Sequence, residues 1–281
     1  MAREKDSPPK SKIPYAGPWL SLGQYLLTPE AQTFALAVAT FAVLAFFPFM
    51  IVLIMLIRRV FESKAMNYVL LQILRDHLPI GQDMVIKALN DLVNARKQVQ
   101  VGSTILLLLA TRGVFMPLEV ALNRIWGFDK SRSWVHNQVM GALLALGCAV
   151  LALISIAVTA FGNRYVLTEF VGGGGRHNPT FHLGAFLLMK LVTTAASIIM
   201  FFLIYWLVPS GKVEVRRALP AAIIFGILWE LMKYAYIAAL PHMNFEEVYG
   251  PFSVSVSLIF WAYVSGLLLL SGAYSAAYTH E

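Results

Sequence analysis

The chain has 281 residues, of which 58% are hydrophobic and only 13% charged, and it carries a formal net charge of +7. Charged residues make up about a quarter of an ordinary soluble chain, so this composition excludes a soluble domain and predicts one all-α, polytopic membrane protein. The basic excess does not predict a nucleic-acid partner, because it clusters in loops beside apolar stretches, where membrane topology requires it.

Residues 1–18, MAREKDSPPKSKIPYAGP, are polar with four prolines and read as a disordered cytoplasmic tail. They hold no apolar core of a cleavable signal, so the first span is expected to act as its own insertion signal. Residues 19–281 read as one transmembrane domain. PWLSLGQYLL is apolar and aromatic enough for a short interfacial helix. A helix needs about 20 apolar residues to cross the hydrocarbon core. Six stretches qualify: 30–57, 101–121, 138–161, 184–208, 218–239 and 252–278. The first opens on Thr28-Pro29-Glu30, an N-cap, a proline at the first helical position and an acid near the positive end of the dipole. Between spans one and two, residues 58–100 read as an extracytoplasmic helical hairpin. Phe61, Val69, Leu70, Ile73 and Leu74 recur at near-helical spacing, Pro79 and Gly81 break the chain, and Val85, Ile86, Leu89 and Val93 repeat the pattern. Between spans three and four, VGGGGRHNPT (171–180) is flexible by composition.

Six spans put both termini on one side. Arg3, Lys5, Lys10 and Lys12, then Arg124, Lys130 and Arg132, then Lys212, Arg216 and Arg217 mark that side as cytoplasmic. The opposite loops carry Arg164 and Arg176, or Glu246 and Glu247 with no basic residue. The loop 58–100 runs against the pattern, with seven basic residues beside Glu62, Asp76, Asp83 and Asp91.

Ionisable residues inside the spans are Arg112, Glu119, Lys190, Glu230 and Lys233. Each costs roughly 2.5–3.5 kcal/mol at a helix centre on insertion scales, which makes each a candidate facing the bundle interior. At about 1.5 Å per residue, Arg112 and Glu230 fall near mid-membrane, so an ion pair between them is geometrically allowed. Lys233 lies roughly 7 Å and Lys190 roughly 9 Å toward the outside on the same scale. A plainer reading stands beside this one. Glu230 and Lys233, three apart, can pair with each other, Lys190 can snorkel to the interface, and Glu119 is close enough to a helix end to be wetted.

Pro48 and Pro117 interrupt spans one and two and predict kinks. Ser253 and Ser257 share a face of span six and could line a polar path, although such serines more often serve helix packing. No HxHxDH, HExxH, CxxC, GxSxG or Walker sequence is present, so neither enzymatic activity, nor a cofactor, nor a metal is expected. Asp76, His77 and Asp83 form the only local acid–histidine group. Cys148 is alone and can form no intramolecular disulfide.

Several blocks in order resemble the YihY/BrkB family of bacterial inner-membrane proteins, once mislabelled ribonuclease BN. They are VLAFFPFMIVL, Gly102, LEVALNRIWG (118–127), PSGKVEVRRALPAA (209–222), WELMK (229–233), Tyr249-Gly250 and LIFWAYVSGLLLLSGAY (258–274). The likeness runs over roughly residues 20–278. It implies six helices with cytoplasmic termini and members discussed as transporters linked to envelope lipids. One departure is Tyr274, where the family often has a glutamate.

Two functions compete. The first is a transporter or lipid-translocating protein that guides an anionic amphiphile past Lys190, Lys233 and Arg112. The alternative is a non-transporting scaffold that docks envelope partners through the hairpin, its buried charges fixing helix register. Expected partners are membrane lipids, a periplasmic or envelope protein, and a second copy of the chain.

Overall fold

The computed structural model describes residues 18–77, 86–87, 89–91, 97–129, 134–171 and 179–278. Among these there is no strand. The helices are α1 (Pro18–Leu26), α2 (Pro29–Arg59), α3 (Lys64–His77), α4 (Lys97–Trp126), α5 (Trp134–Val171), α6 (Pro179–Leu207), α7 (Val215–Ala239), α8 (Phe245–Tyr249) and α9 (Ser253–Tyr278). The predicted tail, except Pro18, and the tetraglycine lie outside the described residues, as does most of the second half of the hairpin.

Five helical stretches among the described residues are long and apolar enough to cross a membrane: Pro29–Arg59, Gln138–Ala160, Lys190–Leu207, Val215–His242 and Ser253–Tyr278. The predicted span at 101–121 falls within α4, a helix of 30 residues that is not one of these five. α5 is 38 residues long and runs ten residues past its predicted end. Leaving the apolar core does not end a helix. Its described part stops where the glycine run begins, and glycine carries the largest conformational entropy to lose.

Local sequence sets the helix starts. Thr28 caps α2, with extended backbone and its Oγ1 accepting from the Ala31 amide at 3.3 Å, and Pro29 follows at the first helical position. α3 begins only at Lys64, because Glu62 takes a left-handed φ of 46° that breaks the chain after α2. Ser63 Oγ then accepts from the Met66 amide at 3.2 Å. α2 and α4 continue as helix through Pro48 and Pro117.

The long helices form a ring in the order α2, α4, α5, α6, α7, α9, with α9 returning to α2 and also touching α4. Two buried clusters hold its ends. At the α1 end, Leu118 and Leu122 of α4, Tyr205 of α6, Phe225 of α7 and Ala273 of α9 pack together. The buried Tyr205 hydroxyl donates to the Leu269 carbonyl at 3.0 Å, so it leaves no orphan donor. At the α3 end, Ile54 and Ile57 of α2 pack with Val69 and Leu70 of α3, Leu89, and Ile156 of α5. Arg58 donates to Asn67 and Asn90 there, tying α3 and Asn90 to α2. α1 docks on α9 through Tyr25, stacked on Tyr274 at 4.5 Å. Burial, reinforced by the Glu30 carboxylate, pushes the Tyr25 phenol well above its usual range.

Candidate functional site

α7 carries the stretch FGILWELMKYAY, 225–236. Gly226 sets its distance from α6. A Cβ there would lie 2.9 Å from Ile198 Cγ1 and 3.0 Å from Ile198 Cα, so only glycine permits this approach. One turn later the two helices meet through polar atoms. Ser197 Oγ of α6 donates to Glu230 Oε1 at 2.6 Å, and Lys233 Nζ donates to Glu230 Oε2 at 2.8 Å. Glu230 is only 6% exposed. A buried carboxylate is tolerable only when paired and hydrogen-bonded, and here each oxygen has a donor.

The ammonium groups have aromatic company. Lys233 Nζ lies 5.2 Å from the Trp229 ring centroid and 5.6 Å from that of Tyr234. Lys190 of α6 donates to the Tyr234 hydroxyl and sits 4.7 Å from the same ring centroid. Ring faces attract cations, so the aromatics help to hold Lys233, which is partly buried, and Lys190, which is exposed, at the α6–α7 seam.

These groups border a cleft of about 580 Å³ between α5, α6 and α7. Its walls are mostly apolar, with Ala152, Met200, Phe201 and Trp229 among them, and its polar lining includes Ser155 and Thr159 of α5 and Thr193 of α6. An ammonium has three donors. Among the described residues Lys233 spends one, on Glu230. Chemically the cleft offers donors to an anionic group and apolar wall to a hydrocarbon.

Of the residues singled out in the sequence, Lys190, Glu230 and Lys233 come together here. The expected Arg112–Glu230 pair rests on a side chain outside the described residues. Both Glu230 oxygens are engaged by Lys233 and Ser197, and α4 stands across the ring from α7. The Arg112 side chain lies outside the described residues, as do those of Asp76, His77 and Asp83. Ser253 and Ser257 are buried but do not line the cleft. Ser257 Oγ donates to the Val254 carbonyl at 3.0 Å, and its own carbonyl accepts from Tyr236 at 2.8 Å, which ties α9 to α7.

Glu119 is not wetted as expected but 4% exposed. It accepts from Ser210 Oγ at 2.8 Å, and Asn123 of the same helix engages the Ser210 hydroxyl at 2.8 Å and amide at 2.7 Å. This network clamps the α6–α7 loop to α4. Sequence reasoning missed Ser197, Ser210 and Gly226. The signal for Gly226 was a glycine one turn before a buried acid; hydroxyls as common as the two serines gave none. The Tyr274 side chain stacks on Tyr25 and lies tilted against Tyr278 at 4.4 Å.

The family model described as Virulence factor BrkB matches residues 24–281. A UPF0761 membrane protein of Alteromonas mediterranea is 28% identical over 70% of this chain and 64% of its own length. One of Idiomarina loihiensis is 32% identical over 70% of this chain and 66% of its own. One of Psychrobacter is 22% identical over 93% of this chain and 49% of its own. The match thus spans about half to two thirds of the length of these three relatives. No solved structure matches. With the family model spanning nearly all of the chain, the protein belongs to the BrkB family and is an integral membrane protein.

Proposed function

We propose that the protein is a transporter or lipid-translocating protein that handles an anionic amphiphile through the cleft between α5, α6 and α7. On this reading α4 is the sixth span. The termini lie on the cytoplasmic face of a bacterial inner membrane, with the basic residues at Lys130, Arg132, Lys212, Arg216 and Arg217 on the same side.

The observation that carries the proposal is the placing of two lysine ammonium groups on one largely apolar cleft within the bundle. A charge costs roughly 2.5–3.5 kcal/mol at a helix centre on insertion scales and less toward the interface, and ionisable residues within spans commonly mark substrate pathways. An anionic head group at Lys233 would meet ammonium donors that, among the described residues, only Glu230 engages, with Lys190 beside it, while its chains rest on Phe201, Met200 and Trp229. Lipid translocation needs that combination, because the head must cross the apolar layer while the chains stay in it.

The test is a reconstituted flux assay with fluorescent phosphatidylglycerol in proteoliposomes. Wild-type protein should accelerate movement between leaflets over protein-free vesicles, and Lys190→Met with Lys233→Met should remove most of that acceleration. A wild-type rate equal to that of empty vesicles sinks the proposal. An unchanged rate in the stably folded double variant removes the lysines from it.

A further inference from the structure

Resting on the reading of the cleft as an anion site, we propose that Glu230 is a proton-binding site coupled to it: the anion replaces Glu230 as the partner of Lys233, and Glu230 takes up a proton as it is displaced.

Competition for the Lys233 ammonium favours such an exchange. In the structure Lys233 and Glu230 neutralise each other at 2.8 Å, with side-chain exposures of 19% and 8%. An anion bridging Lys233 and Lys190 would share the Lys233 ammonium with the Glu230 carboxylate, and two negative groups drawn to one ammonium in a mostly apolar cleft disfavour each other. Moving Glu230 into water is not available to a buried side chain on a helix locked to α6 through Gly226. Adding a proton to it is.

The hydrogen bonds around Glu230 accept that proton without leaving an orphan. Ser197 Oγ lies 2.6 Å from Glu230 Oε1 and 3.1 Å from the Thr193 carbonyl, so it has an acceptor on either side. A hydroxyl has one hydrogen and two lone pairs. With Glu230 ionised, the Ser197 hydrogen points to Oε1. With Glu230 protonated, the new carboxyl O–H donates to Ser197 Oγ, and the Ser197 hydrogen turns to the Thr193 carbonyl. The step begins with Lys233 ammonium against Glu230 carboxylate. It adds one anion and one proton, forms one O–H bond, and ends with ammonium against anion and a neutral carboxyl against Ser197. The Lys233–Glu230 pair with its anion is neutral before and after, and Lys190 keeps its own positive charge throughout.

Few other groups compete. Facing the cleft are Lys233 and Tyr234 of the same helix, Lys190 of α6 and Cys148 of α5. α9, packed on α7, contains no Asp, Glu, Lys, Arg or His between Ser253 and Tyr278; its titratable groups there are tyrosines. Glu230 is therefore the only carboxylate lining the cleft among the described residues. A gradient of protons across the membrane can then drive the anion in one direction.

The full-length protein in neutral detergent is titrated with dioctanoyl phosphatidylglycerol by calorimetry, in pairs of buffers that differ in protonation enthalpy. Wild type should take up about one proton per lipid bound, and its affinity should fall by up to about tenfold per unit of rising pH in the range where the uptake occurs. Glu230→Gln should bind the lipid with no uptake and with affinity independent of pH. Lipid binding to wild type without proton uptake overturns the coupling and leaves the anion site standing. Uptake that persists in Glu230→Gln assigns the proton elsewhere and overturns it as well. No lipid binding to wild type sinks the anion site and the coupling together.

Discussion

Lys233→Met is the most informative single change. It removes the ammonium and leaves the Glu230 carboxylate, 8% exposed, with only the Ser197 hydroxyl for company among the described residues. Removing one partner of a buried ion pair costs about 3–5 kcal/mol, because the other charge stays buried and uncompensated. Glu230→Gln should cost less, about 1.5–3 kcal/mol, the range for hydrogen bonds to charged groups. It leaves an ammonium that keeps the faces of Trp229 and Tyr234 and the open side of the cleft. The double variant Glu230→Gln with Lys233→Met buries no charge at this position and should recover most of the loss, since exchanging a whole buried pair for neutral groups is often close to neutral. The measurement is reversible unfolding in mixed detergent micelles followed by circular dichroism, with the four proteins closing a double-mutant cycle. The expected coupling is at least about 2 kcal/mol, with Lys233→Met the least stable of the four. Additive losses in the double variant would refute the buried pair and place both groups in contact with water.

Three further changes probe the frame around the site. Gly226→Ala puts a Cβ 3.0 Å from Ile198 Cα and should cost about 1–3 kcal/mol of overpacking, read by thermal melting in detergent; an unchanged melting temperature would mean that α6 and α7 do not touch there. Asn123→Ala removes both of its bonds to Ser210 and should cost about 1–3 kcal/mol, while speeding trypsin cleavage at the exposed Lys212; equal cleavage rates count against the clamp. Glu30→Gln breaks the 2.7 Å pair with Arg124, but the two side chains are 40% and 69% exposed, so the loss should stay below about 1 kcal/mol. A larger loss would show that this pair is shielded from solvent.

Much of the helical frame was legible in the sequence, because in a membrane chain apolar length alone marks a span. α2, α7 and α9 begin and end within three residues of the predicted limits. The Thr28-Pro29-Glu30 start was legible for a different reason, since capping is local chemistry that needs no tertiary contact. The end of α5 and the start of α3 were not, and both turn on backbone features that hydropathy does not carry: helix continuing past the apolar window, and a left-handed turn at Glu62.

The site was legible in its residues and not in its pairing. Unusual charges in apolar stretches picked out Glu230, Lys233 and Lys190, but depth along a helix says nothing about which helices are neighbours. Arg112 and Glu230 match in depth by residue count, but that count does not reveal that α4 and α7 stand across the ring from each other. What decides the partner is the seam between α6 and α7, and that seam depends on Gly226. A larger residue there would hold α6 away, Ser197 would lose Glu230 Oε1, and the carboxylate would keep Lys233 alone. The sequence contains this information as a spacing, with glycine at 226, glutamate at 230 and lysine at 233 on adjacent turns of one helix. The first residue sets the approach, the second receives the donor from the neighbouring helix, and the third carries the countercharge to the edge of the cleft.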